Sequence, residues 1–222
     1  MIEIPILFES REILVVDKPV GISIHNGDAE EYESDLISLL MTQLGVATLF
    51  PVHRLDKETS GLQMFALSNE AASTWAQEFQ NDKVSKFYEG VTRGALKESE
   101  GIWRQPITDR AEGRTNPAGL AGNRIAAETR FKVLASNKYF SRCRFQLVTG
   151  RQHQIRKHCA MQKHALVGDR RYGEQVYNRR MIDLYRTDRM FLHSSQIEIR
   201  GQTFFSPSPA EFDSLVELKS GN

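Results

Sequence analysis

Short apolar runs and brief polar interruptions alternate through the first twenty residues. Ile6–Phe8 and Ile13–Val16 read as two β-strands, closed by Lys18-Pro19 and Gly21. The pattern then changes to helical spacing: behind Ser34, a suitable N-cap, Leu36, Leu39, Leu40 and Leu44 fall on one face. A dense run of charge, "PVHRLDKETSG" from Pro51 to Gly61, precedes the strand-like "LQMFAL". Asn69 opens a second helix to about Asn81, with Ala72, Trp75, Ala76 and Phe79 at helical spacing.

"KFYEGVTR" and "RIAAETRFKVL" predict strands on either side of a Gly-, Pro- and Arg-rich stretch, Gly101 to Gly122. That stretch is long for a structureless connection, so it is either functional or mobile. "YFSRCRFQLV" alternates as a half-buried strand, and Thr149-Gly150 then begins a basic helix, Arg151 to about Gln162. Two more strands, "FLHSSQIEI" and "QTFFS", follow. Strands and helices are interspersed without a βαβ rhythm, which predicts an α+β protein with a mixed sheet. No internal repeat or low-complexity linker interrupts the chain.

At 222 residues, 40% hydrophobic and 26% charged, the composition is that of an ordinary globular protein, read here as one domain over 1–222. No apolar run approaches the roughly 18 residues that span a bilayer. "MIEIPILFESRE" has no basic flank and is not a signal peptide, so a cytoplasmic protein is expected. Cys143 and Cys159 form no C-x-x-C pair and read as reduced thiols.

Net charge is only +1, but it is unevenly spread. Residues 1–52 carry 2 Lys/Arg against 9 Asp/Glu, and residues 142–200 carry 13 against 5, giving −7 and +8. A basic, Arg-rich segment is the electrostatic footprint of a polyanion site; mutual neutralisation within the fold accounts for it equally well.

Within the charged run, Asp56 is either a structural carboxylate in a tight turn or a catalytic one serving as nucleophile or base. Arg54, two residues earlier on an extended segment, lies on the same side, where it can address an RNA phosphate or fill space beside a substrate. In "TGRQHQIRKH", a helix from Arg151 puts Arg156 on one face with Gln152 and His153. His153 and His158 are five apart and badly placed as a metal pair, and no metal site is expected. The segment is a solvated basic helix, or it presents Arg151 and its neighbours to RNA phosphates with one arginine turned inward. Tyr88 is core, or a flat surface for a base; Phe87 and Tyr88 point to opposite faces of their strand.

"HRLDKETSG" resembles the catalytic motif of the RluA-type RNA pseudouridine synthases, H-R-L-D-x-x-T-S-G, at every specified position. "ILVVDKPVGISIH" is similar to the family's V-x-K-P-x-G segment, "KFYEGV" to its K-x-Y strand and "AAET" to its A-x-T strand. "TGRQHQIRKH" is similar to its G-R-x-H-Q-[IL]-R-x-H helix, "VGDRRYG" to its G-D-x-x-Y-G turn and "FLHSSQIEI" to its L-H-A strand.

The resemblance covers nearly the whole chain and implies the family's fold, a long, mostly antiparallel mixed sheet in two halves with flanking helices and a central cleft. It implies Asp56 as the essential carboxylate, Tyr88 as the base-stacking tyrosine and Arg156 as the cation paired with that carboxylate. It also implies Arg54 as the residue filling the space of a flipped nucleotide and Ile155 as an apolar pocket wall. His53, Thr59, Arg151 and His153, in the same motifs, join them as substrate contacts.

The S4-type RNA-binding module that often precedes this domain is not expected, since only about 50 residues, net acidic, stand before the motif. The chain is similar to the short, catalytic-domain-only branch. "YNRRMIDLYRTDRMFLH" resembles the branch acting on the tRNA acceptor stem, and "ILFESREILVVDKP" resembles equally the branch acting on rRNA and tRNA anticodon arms.

The chemistry agrees with these roles. Isomerising uridine breaks the N1–C1′ bond, turns the uracil and rejoins it through C5, so no cofactor is required. The base must leave its stack, costing a few kcal/mol that stacking and an inserted arginine offset. A desolvated carboxylate would be pushed toward protonation, and a nearby guanidinium restores the anion. The expected partner is structured RNA, tRNA or rRNA, bound by a monomer with no obligate protein partner. A catalytically silent RNA-binding protein on the same scaffold is the alternative. A glycoside hydrolase is disfavoured because its second carboxylate, about 5–10 Å away, has no good candidate but Glu58.

Overall fold

The computed structural model describes residues 2–25, 35–80 and 83–217. In chain order the elements are β1 (Ile6–Glu9), β2 (Ile13–Lys18), α1 (Leu36–Leu44), β3 (Phe50–Pro51), β4 (Ser60–Ala66), α2 (Asn69–Gln80), β5 (Ser85–Arg93) and β6 (Glu100–Trp103). There follow β7 (Thr129–Ser136), β8 (Phe140–Leu147), α3 (Gln154–Met161), α4 (Gln175–Tyr185), β9 (Leu192–Ile199), β10 (Gln202–Phe205) and α5 (Glu211–Glu217). The fold is α+β with mostly antiparallel pairing, as expected, and divides into two compact units.

The first unit comprises Met1–Ser85 and His193–Pro207. Its β2 lies antiparallel between β1 and β4, while β4 runs parallel to β9 over Ser60↔His193 and Gly61↔Ser194. Gly61 has φ 104°, and a Cβ there would stand 2.3 Å from the Ser194 carbonyl oxygen; only glycine lets the two backbones approach this closely. Val15, Leu62, Met64, Trp75, Ile197 and Phe204 build the core. The expected N-cap of α1, Ser34, lies outside the described residues; Asp35 caps the helix, its Oδ1 accepting from Ser38 N at 2.8 Å. Helix α2 ends at Gln80, and Asn81 lies outside the described residues.

The second unit comprises Lys86–Leu192 and Ser208–Asn222. Here β5, β8, β7 and β6 pair antiparallel in that order. Val91, Phe140, Val167, Phe191 and Phe212 form one core cluster, and Trp103 stacks on Phe131 at 4.5 Å beside Phe145.

The second unit departs from the sequence reading at the start of α3 and adds structure that reading did not place. The stretch from Gly101 to Gly122 is not structureless: Gly101–Trp103 belong to β6, and Ile107 exchanges backbone bonds with Ile125 at 3.1 and 2.8 Å. Helix α3 begins at Gln154, not Arg151, because His153 adopts φ 57° and Gln154 folds its side chain back to accept from Thr149 Oγ1 (2.6 Å) and Arg151 N (3.1 Å). Gln152 therefore shares no helical face with Arg156. Helices α4 and α5 were not foreseen; exposed Val176, Ile182 and Leu184 blur the buried period of α4.

Candidate active site

In the first unit, the charged run forms a turn in which Thr59 N donates to Asp56 O at 3.0 Å. Leu55 is buried, Asp56 half-buried and Arg54 exposed. The turn is anchored from two sides. Lys18, fully buried, donates through Nζ to the carbonyls of Pro19 (2.9 Å), Ile22 (2.9 Å) and Lys57 (3.1 Å), and Gly21 N donates to the same Lys57 oxygen at 2.9 Å. Beyond the turn, Ser60 Oγ bonds His193 Nδ1 at 2.9 Å, and His193 Nε2 lies 3.1 Å from the Ser206 carbonyl. Because a carbonyl only accepts, Nε2 carries the proton and Nδ1 accepts from Ser60. Thr59 is buried beneath this arrangement.

His53 is engaged by the fold: its Nε2 accepts from Met64 N at 3.1 Å and its ring stacks on Phe79 at 4.7 Å. The backbone N–H donation identifies Nε2 as the unprotonated nitrogen.

In the second unit, α3 is buried along almost its whole length, from Gln154 to Cys159, so the solvated basic helix does not exist. Its charges are satisfied internally. Arg156 makes a bidentate pair with Asp169, Nε to Oδ2 at 2.8 Å and Nη2 to Oδ1 at 2.9 Å. Asp169 Oδ1 also accepts from the N–H groups of Arg171 and Tyr172, each at 2.9 Å. The guanidinium lies over the Tyr172 ring, whose hydroxyl bonds His153 Nδ1 at 2.9 Å. Burial pushes the Tyr172 phenol up to about 12, so it stays neutral.

Lys157 and His158 face the connection between β6 and β7. Lys157 Nζ donates to Thr108 O (2.8 Å) and Arg110 O (2.7 Å); burial lowers its pKa, with Glu112 and Asp109 opposing. His158 Nε2 donates to Gln105 O at 3.0 Å and its Nδ1 bonds Thr129 Oγ1 at 2.8 Å, burial lowering its pKa as well. The stretch expected to be functional or mobile is thus clamped onto the helix that carries Arg156. Ile155 is buried on α3, and Arg151 Nε reaches Ala126 O at 3.3 Å. Tyr88 sits on β5 opposite Phe145, 7% exposed, while Arg144 covers Phe87 at 4.4 Å.

Among the described residues, no group of three His, Cys, Asp or Glu side chains could hold a metal ion. Both cysteines are buried and free, with Cys143 pushed up to about 12 and Cys159 well above its ordinary value by burial, so neither is a nucleophile at neutral pH.

Sequence reasoning assigned no role to Lys18, Lys157, Asp169, Tyr172 or His193. Lys18, Asp169, Tyr172 and His193 stand at fixed positions of segments quoted for the family resemblance, V-x-K-P-x-G, G-D-x-x-Y-G and L-H-A; Lys157 occupies a variable one.

Residues 12–161 match the family described as RNA pseudouridylate synthase, and the chain belongs to it. It is 31% identical over 208 residues to "tRNA pseudouridine synthase C" of Pasteurella multocida, spanning 86% of this chain and 84% of that one. It is 32% identical over 228 residues to "Ribosomal large subunit pseudouridine synthase D" of Nitrosomonas europaea, covering 99% of this chain and 65% of the relative. Among solved structures, "Human RNA Pseudouridylate Synthase Domain Containing 1" superposes with a TM-score of 0.79 at 26% identity, covering 96% of this chain and 87% of that one.

Proposed function

We propose that the chain, acting as one catalytic domain over 1–222, converts specific uridines of a structured tRNA or rRNA to pseudouridine, with Asp56 as the catalytic carboxylate. The single observation that carries this reading is the turn of "HRLDKETSG", tied down on both sides of Asp56 by Lys18 and by Ser60 with His193. A half-buried carboxylate on a fixed turn is already oriented, so its geometry need not be assembled when substrate arrives.

In the reaction the N1–C1′ bond breaks, the uracil turns, C5 bonds C1′, the C5 proton leaves and N1 gains one. Atoms balance without an oxidant or co-reactant. Attack on the ribose, attack on the base, and proton abstraction leading to a glycal all require Asp56 as the anion. Arg156 supplies positive charge that favours that anion, Tyr88 and Ile155 keep water from the detached uracil, and Arg54 fills the space of the flipped nucleotide. Both named relatives act on RNA, one on tRNA and one on the large ribosomal subunit, which supports structured RNA as substrate without choosing between them.

The test is tritium release from transcripts labelled at uridine C5, with purified protein and unmodified tRNA or rRNA. Stoichiometric release from one transcript identifies the substrate; no release from either, with the RNA bound, contradicts the reading.

A further inference from the structure

The +8 of residues 142–200 is partly neutralised within the second unit, where Arg142 pairs with Glu89 and Asp213, Arg156 with Asp169, Arg170 with Asp188, and Arg189 with Glu211. A separate group of cations surrounds a cavity of about 150 Å³ in the same unit. Arg93 reaches it from the end of β5, Arg114 from the β6–β7 connection, and Lys163 from the turn after α3. Glu174 and Tyr177, at the start of α4, and Tyr172 also line it.

The backbone fixes these side chains in register. Arg93 N donates to Ala165 O at 3.0 Å, and His164 Nδ1 bonds Arg93 O at 2.8 Å, holding the Lys163 turn beside the end of β5. Lys163 itself has φ 64°, the left-handed conformation that ends α3. Arg171 Nη1 donates to Ala111 O (3.3 Å) and Glu112 O (3.2 Å), bringing the connection, and Arg114 with it, to the cavity.

Three cations face one carboxylate, and that carboxylate is shared: Glu174 pairs with Arg93 at 2.7 Å while the Arg93 guanidinium stacks on Tyr177 at 4.5 Å. Arg114 and Lys163 have no carboxylate partner among the described residues. Burial pushes the Tyr177 phenol up to about 12, so it is a neutral hydroxyl at working pH. The volume is well below the roughly 300–1,000 Å³ of pockets that engulf a whole small ligand, yet far above the ~10–15 Å³ one water needs. It suits a phosphate group with its waters, not a nucleoside.

We propose that the cavity bounded by Arg93, Arg114, Lys163 and Tyr177 is a docking site for a backbone phosphate of the RNA substrate. It rests on the proposed function for the identity of the polyanion. Arg93 is oriented by Tyr177 and Glu174, and Arg114 and Lys163 supply the charge that the phosphate neutralises.

The test compares Arg114→Ala/Lys163→Ala with Lys132→Ala/Lys138→Ala, which removes the same charge from exposed lysines elsewhere in the unit. Affinity for the full-length RNA is measured between 0.05 and 0.2 M salt, roughly the range over which phosphate contacts show most clearly. The cavity variant is expected to bind about tenfold more weakly at the low end and to reduce the slope of log K against log salt by about 1, the control by less than half of either.

Inorganic phosphate is titrated in parallel against the amide resonances of Gly173 and Gln175, which should shift in the wild type and not in the cavity variant. Equal RNA affinities for the two variants overturn the proposal, whether phosphate shifts those amides, leaving a free-anion site, or does not. A protein that binds RNA through this cavity but isomerises no uridine fails the proposed function and leaves the site standing.

Discussion

Arg156 and Asp169 are joined by two parallel hydrogen bonds, 2.8 and 2.9 Å, with side chains only 6% and 0% exposed. Family resemblance gives Arg156 the catalytic carboxylate as its partner, but a carboxylate of its own unit already holds two of its nitrogens. Asp169 orients the guanidinium and offsets its charge.

Asp169→Ala should leave a buried guanidinium without its principal countercharge. Removing one member of such a pair costs about 3–5 kcal/mol, so urea unfolding should shift by that amount. Asp169→Asn, which keeps an acceptor, should fold better yet lose turnover, because the orientation of Arg156 changes. Wild-type turnover in Asp169→Asn would show that Asp169 serves stability alone.

Lys18→Met should loosen the Asp56 turn from the loop of Pro19–Ile22. Three carbonyls lose a charged donor, and each such bond is worth roughly 1.5–3 kcal/mol. The expected signature in the folded variant is a fall in kcat of tenfold or more with KM changed less than threefold, since RNA still docks but Asp56 is misplaced. A change confined to KM would assign Lys18 to binding.

Gly61→Ala should destabilise the first unit by at least about 3 kcal/mol. The left-handed φ alone costs about 1–2 kcal/mol for a residue with a side chain, and the new Cβ meets the Ser194 carbonyl at 2.3 Å. Thermal unfolding measures it; a melting temperature within a degree of wild type would mean that β4 and β9 can part without loss.

His158 predicts a pH dependence of stability. Burial, with the neighbouring Lys157 charge, lowers its pKa in the folded state below the ordinary 6.5, and the hydrogen bond it donates to Gln105 O opposes this only in part. The unfolded state therefore takes up a proton first. The stabilisation is present above the unfolded pKa, about 6.5, and is lost as pH falls through that value toward the folded one. Urea midpoints should fall from pH 7.5 to 5.5 in the wild type and fall less in His158→Gln. Parallel curves would assign the acid sensitivity to other groups.

Much of this was legible in the sequence, and the exceptions have physical causes. Periodicity located β2, β4, β5, β8 and β9 because their faces are buried uniformly or alternately, and it located α1 and α2 through a single apolar stripe. It misplaced the start of α3 because the left-handed backbone of His153 and the folded-back side chain of Gln154 leave no trace in hydropathy. It left α3 open between a solvated helix and one with a single arginine turned inward, because Arg156, Lys157 and His158 count as polar wherever they lie. Only Asp169, Thr108, Arg110, Gln105 and Thr129, distant in sequence, make their burial tolerable. The Asp56 turn was legible as a motif, whereas Lys18 and His193, which hold it, acquire meaning only once β2, β4 and β9 are seen side by side.

The most direct test of the central claim is a pseudouridine map of cellular RNA, by carbodiimide-adduct sequencing, from a strain lacking the protein and complemented with wild type or Asp56→Asn. One uridine signal should vanish on deletion, return with wild type and stay absent with Asp56→Asn, although the variant binds the same RNA. Restoration by Asp56→Asn would contradict Asp56 as the catalytic carboxylate.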